Sequence, residues 1–150
     1  MSGSFLPPLK TEEIAKLIPH HGNMCLLSEV RTYDQHHIFC LANSHRLLDN
    51  PLRENGLLRS VCGIEYAAQA MAIHGRLSTT QGLMQARGGR LASVRTAQFY
   101  VVRLDDIQED LEIHATLLLG DDSNMIYEFN VAASGVTLLR GKATVILITN

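Results

Sequence analysis

Leu57 to Leu77 reads LLRSVCGIEYAAQAMAIHGRL. The run contains no proline and is rich in alanine, leucine and methionine, so it is predicted to form a helix of about five or six turns. Its apolar residues (Leu57, Leu58, Val61, Cys62, Ile64, Ala67, Ala68, Ala70, Met71 and Ile73) go nearly all the way round. A helix that is apolar on every side is buried on every side. In a single chain of 150 residues the natural place for such burial is inside a curved sheet, and Gly63, Ala67, Ala68, Ala70 and Ala72 would let strands approach closely. Two polar residues interrupt the pattern. Glu65 puts a carboxylate in the middle of the run, where isolating a charge is expensive, so its side chain is expected to be neutral, paired or facing a cavity. Gln69 lies one turn later on the same face. For Glu65 the alternatives are a functional acid, a helix face reaching solvent, or a buried hydrogen bond; for Gln69 they are a ligand contact or a packing amide.

The flanking sequence supplies the sheet. Residues 1–10, with Gly3, Pro7 and Pro8, read as a loose lead-in, and residues 11–150 as a single domain. Thr11 can cap a short helix with Glu12 and Glu13 in its first turn. Ile14, Leu17 and Ile18 give that helix an apolar face, and Pro19 stops it. His20 to Asn23 is a loop. Met24–Arg31 and His36–Ala42 are expected to form a hairpin around Tyr33-Asp34-Gln35. Asn43 to Gly56 is polar and irregular, and loops of this length in compact domains are often functional. Beyond the helix, Ser78 to Gly89 is a glycine-containing connection. Leu91–Arg103, Gln108–Leu119, Met125–Ala133 and Val136–Thr149 are strand-like runs separated by turn residues, as in an antiparallel meander. The expected class is α+β, a strongly curved antiparallel sheet wrapped around one central helix. Its open edges would be removed by edge-to-edge pairing in a dimer.

Composition narrows the possible functions. Apolar residues make up 46% and charged residues 19% of the chain, which is not the balance of a disordered protein. A net charge of −2 offers no basic excess for a phosphate backbone, so nucleic acid is not an expected partner. No apolar run approaches the roughly 20 residues of a membrane span, and the first ten residues do not have the form of a signal peptide. Cys25, Cys40 and Cys62 cannot all pair, and all lie in apolar contexts. They read as small buried hydrophobes in a reducing compartment, so a cytoplasmic protein is expected. Seven histidines raise the question of a metal, but no Cys/His spacing matches a zinc motif and none is expected.

Three stretches carry a family resemblance. Ile18 to Val30 (IPHHGNMCLLSEV) resembles the opening of the hotdog-fold 3-hydroxyacyl-acyl-carrier-protein dehydratases. Glu65-Tyr66-Ala67-Ala68-Gln69-Ala70 resembles their central helix, and Leu91 to Phe99 one of their strands. Asn50-Pro51-Leu52-Arg53, followed by Gly63 to Gly75, is similar to the branch of predicted dehydratases found in bacterial aryl polyene pigment pathways. The resemblance implies dehydration of a 3-hydroxyacyl thioester to the trans-2-enoyl thioester. The substrate would be carried on the phosphopantetheine arm of acyl carrier protein, with no bound cofactor. It also implies a homodimer, or a heterodimer with a related hotdog subunit, whose two site groups come from different subunits.

Site residues follow from the same resemblance. Glu65 would be the acid that protonates the departing hydroxyl. His45, in the long loop, would be the base that removes the C2 proton, since an imidazole titrates in the right range. Here the chain departs from the family pattern. His-Phe-Pro-Gly is replaced by His45-Arg46-Leu47-Leu48, and the gap to Glu65 is longer than usual. His20, expected near the acyl tunnel, is the reserve base. Gln69 would orient the carboxylate or contact the thioester arm. Unpaired N–H groups at the helix start would receive the thioester carbonyl as it gains enolate character; the resemblance puts these near Gly56 or within Ser60 to Gly63. Arginines, among them Arg46, Arg53, Arg59 and Arg103, would form a positive rim for an acidic carrier protein. His74 is expected to cap or pack near the helix end. Two other readings stay open: a hotdog acyl thioesterase using Glu65 to activate water, and a non-catalytic partner subunit of a heteromeric dehydratase.

Overall fold

The structure, a computed structural model, describes residues 7–18, 22–78, 86–121 and 123–149. Its strands are β1 (Leu9–Lys10), β2 (Glu29–Tyr33), β3 (His37–Ala42), β4 (Ala86–Phe99), β5 (Leu111–Gly120), β6 (Asn124–Ala133) and β7 (Val136–Thr149). They form one antiparallel sheet in the order β1-β2-β3-β5-β6-β7-β4. The helices are α1 (Thr11–Ala15) and α2 (Gly63–Ser78). The expected curved sheet around a central helix is what the chain forms, with α2 packed against β3, β4, β5, β6 and β7.

The burial pattern shows why. Leu111, Ile113 and Ala115 of β5 are buried, whereas the intervening Glu112, His114 and Thr116 are only partly so. Met125, Tyr127, Phe129 and Val131 of β6 and Leu139, Ala143 and Val145 of β7 join the same core. This is the period-two alternation of strands with one covered face. On α2, Tyr66, Ala67, Ala70, Met71, Ile73 and Leu77 are all buried. Its far end is tied down by His74, whose Nδ1 lies 2.6 Å from the Tyr127 hydroxyl and whose Nε2 donates to the Asp34 carbonyl at 2.8 Å. The packing role expected of His74 is therefore the one it has.

Several boundaries differ from expectation. The central helix begins at Gly63, after a single 3-10 turn at Ser60–Cys62, and not at Leu57. Asn55 and Gly56 both have positive φ, 55° and 77°, the geometry of a tight primed turn, and Glu54 and Leu57 exchange backbone hydrogen bonds across it. The next residues then run beside another segment. Leu58 N–H donates to Asp105, Leu104 N–H to the Leu58 carbonyl, and Ser60 N–H to the Val102 carbonyl. These pairings override the helical propensity of 57–59.

At the N-terminus, Leu9 and Lys10 pair with Val30 and Glu29, and Leu9 is buried, so the lead-in stops before them. The cap of α1 falls on Lys10 rather than Thr11, the Lys10 N–H donating to the Glu13 carboxylate at 2.8 Å. Gly22–Met24 is a 3-10 turn, and the strand after it starts only at Glu29. β4 starts at Ala86 and ends at Phe99, because Val102 and Arg103 leave the sheet to pair with Ser60 and Arg59.

Gly63 marks the tightest approach of helix to sheet. A Cβ built there would stand 2.6 Å from Cδ2 and 3.0 Å from Cδ1 of Leu139, which is itself buried. Overpacking of this kind costs about 1–3 kcal/mol. Gly63→Ala is therefore expected to lower the urea midpoint at unchanged slope, and adding Leu139→Val should recover part of the loss.

Candidate functional site

The site is organised by two polar side chains on α2. Gln69 is buried, and both ends of its amide are used: Oε1 accepts from the Leu26 N–H at 2.9 Å, and Nε2 donates to the Met24 carbonyl at 2.8 Å. This amide fastens the segment 24–26 to the helix, which is what the packing reading describes. Three residues earlier, the Tyr66 hydroxyl lies 2.8 Å from Ser44 Oγ and accepts from Asn50 Nδ2 at 3.0 Å. Ser44 Oγ donates to the Leu26 carbonyl at 2.8 Å, and Asn50 Nδ2 also reaches the Ser44 carbonyl at 2.9 Å. The sequence reading missed this cluster. The available signal was a phenol placed in an apolar helix, which when buried needs a partner.

His45 follows Ser44 within a 3-10 turn, Ser44–Arg46, and is fully buried. Its Nε2 is 3.0 Å from each of the Ile107 and Glu109 carbonyls. Two acceptors at one nitrogen put the ring proton there. Nδ1 is then the nitrogen with the free lone pair, and it is buried without a hydrogen-bond partner. Burial, and then the charge of Arg46, push the imidazole below its ordinary pKa. Arg46 fixes the same loop, donating to the Gln108 carbonyl and the Asp110 carboxylate.

Glu65 lies on the first turn of α2, next to Tyr66, and is half-buried. Burial first, and the nearby charges of Glu54 and Glu65 among the smaller causes, raise the Cys62 thiol.

Gly56 sits at the tip of the exposed turn, well before the helix, so its N–H is not a helix-start donor; there it accepts at its carbonyl from Arg53. The Gly63 N–H points to the Ser60 and Val61 carbonyls, so the 3-10 turn occupies it. His20 and His21 lie outside the described residues. Of the expected positive rim, Arg46, Arg53 and Arg103 are engaged within the chain, Arg103 with Asp105 and Asp106.

Two concavities lie nearby. One, of about 180 Å³, runs between residues 22–28 and 43–50, with Cys25, Leu26, Ser44 and Asn50 in its wall. The other, of about 470 Å³, is a polar groove on the outer face of the sheet lined by His114, Glu128, Arg140 and Lys142 among others. Neither is lined by His45 or Glu65. His114 has partners the sequence did not reveal: its Nδ1 is 3.1 Å from His37 Nε2, and its ring stacks on Phe39 at 4.4 Å. Among the described residues no group of three or more His, Cys, Asp or Glu side chains is arranged to hold a metal ion. None of the described helices is long and apolar enough to cross a membrane.

A curved antiparallel sheet wrapped around one helix, with the long loop pinned at the start of that helix, defines a hotdog fold, and solved structures bear this out. The dehydratase heterocomplex ApeI:P from Xenorhabdus doucetiae aligns with a TM-score of 0.81 at 21% identity, covering 97% of this chain and 94% of that one. A mutant of the thioesterase PA1618 from Pseudomonas aeruginosa aligns at 0.61 and 11%, covering 81% of each chain. A homologue of HP0420 from Helicobacter felis aligns at 0.64 and 10%, covering 95% of this chain and 93% of that one. A comparison with curated proteins found no match. The family model for ApeP-like proteins, described as ApeP dehydratase, matches residues 12–149. The chain belongs to that dehydratase family.

These contacts have two measurable consequences. Gln69→Leu strands the buried Leu26 N–H and takes the donor from the part-buried Met24 carbonyl, and leaving a buried group unpaired costs about 1–3 kcal/mol. Chemical denaturation should therefore show a loss of about 2 kcal/mol or more, larger than for Gln69→Glu, which keeps an acceptor for Leu26. The second concerns pH. His45, His74 and His114 are all held below their ordinary value of 6.5, chiefly by burial. The folded state thus favours the neutral rings, and their contribution is complete above pH 6.5 and is lost as pH falls through the depressed folded values. Asp105, held at about 2 by Arg103, weakens the fold only in much stronger acid. Calorimetry should show Tm level from about pH 7 to 8 and falling below about 6.5, by roughly 2–4 °C for each kcal/mol lost.

Proposed function

We propose that this chain dehydrates a 3-hydroxyacyl thioester carried on acyl carrier protein, giving the trans-2-enoyl thioester, in biosynthesis of the aryl polyene type. Membership of the ApeP-like dehydratase family supports the reaction class. The observation that carries the chemistry is the buried, unpartnered Nδ1 of His45. A lone pair in such a place has given up water without gaining a partner, and sites that hold such groups are often catalytic.

In this reading Nδ1 takes the C2 proton while Nε2–H stays on its two carbonyls and holds the ring still. The carboxyl of Glu65 gives its proton to the C3 hydroxyl, the C–O bond breaks, and water leaves. The proton then returns from the imidazolium to the carboxylate. Nothing is oxidised or reduced, and no cofactor is needed. Helix-start N–H groups remain the reading for the thioester carbonyl, with Gly63 set aside because its N–H is occupied. His20 stays the reserve residue at the acyl tunnel.

A second hotdog subunit, identical or related, completes the site. β4 is a strand of 14 residues at one end of the sheet order, and Arg95 to Tyr100 are exposed along it and just beyond. Pairing there covers an open edge. The ApeI:P structure is described as a heterocomplex, which favours a related rather than identical partner.

Purified chain, alone and with its hotdog partner, given 3-hydroxyacyl-carrier protein, should yield the enoyl thioester. Free acid plus thiol would instead make it a thioesterase. Turnover that is unchanged when Glu65 and His45 are replaced would assign this chain a non-catalytic partner role. Glu65→Gln should lower kcat about 10²–10⁴-fold. His45→Gln is a sharper test, because the amide NH₂ can still serve both carbonyls while the basic nitrogen is gone. Turnover should fall on the same scale with little loss of stability, whereas His45→Ala should lose both.

A further inference from the structure

We infer that Arg53 receives the thioester carbonyl, its Nε–H stabilising the oxygen as that oxygen gains negative charge; this rests on the reaction proposed above. Among the described residues two buried side-chain polar atoms lack a hydrogen-bond partner, and they are Nδ1 of His45 and Nε of Arg53. One is an acceptor and the other a charged donor. The residues that carry them touch, Arg53 Nη2 donating to the His45 carbonyl at 3.3 Å. Nη1 donates to the Gly56 carbonyl at 2.9 Å. Nε and Nη2 form one edge of a guanidinium, so the edge with the unused donor is the one turned toward His45.

The charge of Arg53 is unmet as well. Arg46 and Arg103 each reach a carboxylate, whereas Arg53 is part-buried and reaches two neutral carbonyls. A buried charged donor left without an acceptor is destabilising and calls for a reason. The reaction supplies one. When the C2–H bond breaks, its proton goes to the base and its electron pair moves toward the carbonyl, whose oxygen becomes the anion. When the pair returns, the C2–C3 double bond forms, the C3–O bond breaks, and the hydroxyl leaves as water with the proton of the acid. A guanidinium stays protonated throughout, so it can hold that oxygen and take no part in the proton transfers. A lone pair for the C2 proton and a donor for the oxygen are the two groups the first step needs, and they are the two left unused. The backbone donors expected for this task are mostly committed. Gly56 lies on the turn, and the N–H groups of Ser60, Cys62 and Gly63 point to carbonyls of Val102, Arg59, Ser60 and Val61. Arg53 and His45 also lie on one loop of one chain, so this half of the site is set within the chain whichever subunit brings the acid.

Two carrier-bound analogues that cannot eliminate give the decisive measurement, made in the active assembly. One is the 3-hydroxyhexanoyl amide, which keeps the carbonyl; the other is the 3-hydroxyhexyl thioether, which has a methylene in its place. The parent should bind the amide at least about tenfold more tightly. In Arg53→Met that preference should shrink below about threefold while affinity for the thioether holds within about twofold, a pattern that mere loosening of the loop does not produce. On the thioester substrate kcat should fall about 10²–10³-fold. Arg53→Lys keeps the charge without the planar fork and should lose at least about tenfold in kcat. If Arg53→Met does not fold, the parent alone decides: the proton on Arg53 Nε should move downfield in the NMR spectrum when the amide binds and stay in place with the thioether. Equal affinity of the parent for the two analogues, a preference that survives in Arg53→Met, or an Nε–H signal indifferent to the amide overturns the proposal. Normal turnover by His45→Gln together with a lost preference in Arg53→Met removes the base and leaves Arg53 on the carbonyl. Lost turnover in His45→Gln with the preference intact in Arg53→Met does the reverse.

Discussion

A helix that is greasy all round has no intrinsic reason to sit at one rotation or one height inside its sheet, since apolar contact rewards area and is nearly indifferent to direction. The amide of Gln69 and the hydroxyl of Tyr66 remove that freedom. One grips both polar atoms of a neighbouring turn of chain, and the other closes a run of hydrogen bonds from Asn50 to Leu26. At the far end His74 does the same between Tyr127 and the carbonyl of Asp34. Each bond alone is worth about 1 kcal/mol net, but an unmade one in the core costs more. The alternatives are thereby penalised, and the loop from Asn43 to Gly56 and the turn at Met24 to Leu26 acquire fixed places on the helix.

The architecture was legible because burial leaves a periodic mark. The all-round apolar pattern of Gly63 to Leu77 and the alternation in the last strands led directly to a helix wrapped by an antiparallel sheet. What the pattern could not show was competition between segments. Leu57 to Arg59 have good helical character, yet they lie extended because 102–105 supplies partners for their backbone. Leu9 and Lys10 look like a loose start, yet they add a short strand because Leu9 has a core to enter. Such pairings are long-range, and no local window contains both halves.

The site was legible to a different degree. Glu65 and His45 stand out as residue types in particular settings, and the structure places the residues adjacent to them in direct contact. Their environments could not be read in advance. His45 is not a surface loop histidine but is sealed, with one nitrogen committed and the other idle, because the carbonyls of Ile107 and Glu109 converge on it from more than sixty positions away. Gln69 holds backbone, since the turn at Met24 to Leu26 presents one donor and one acceptor at the spacing of an amide. His114 acquired a neighbour in His37 only through the pairing of β3 with β5.

Among the described residues the two ends of the sheet are unlike. One finishes in the two residues of β1, too short to template anything, and the other in the long β4. Of these two described ends, β4 is the one with enough backbone to accept another strand over many residues, so any strand added to this sheet would gain most by lying along β4.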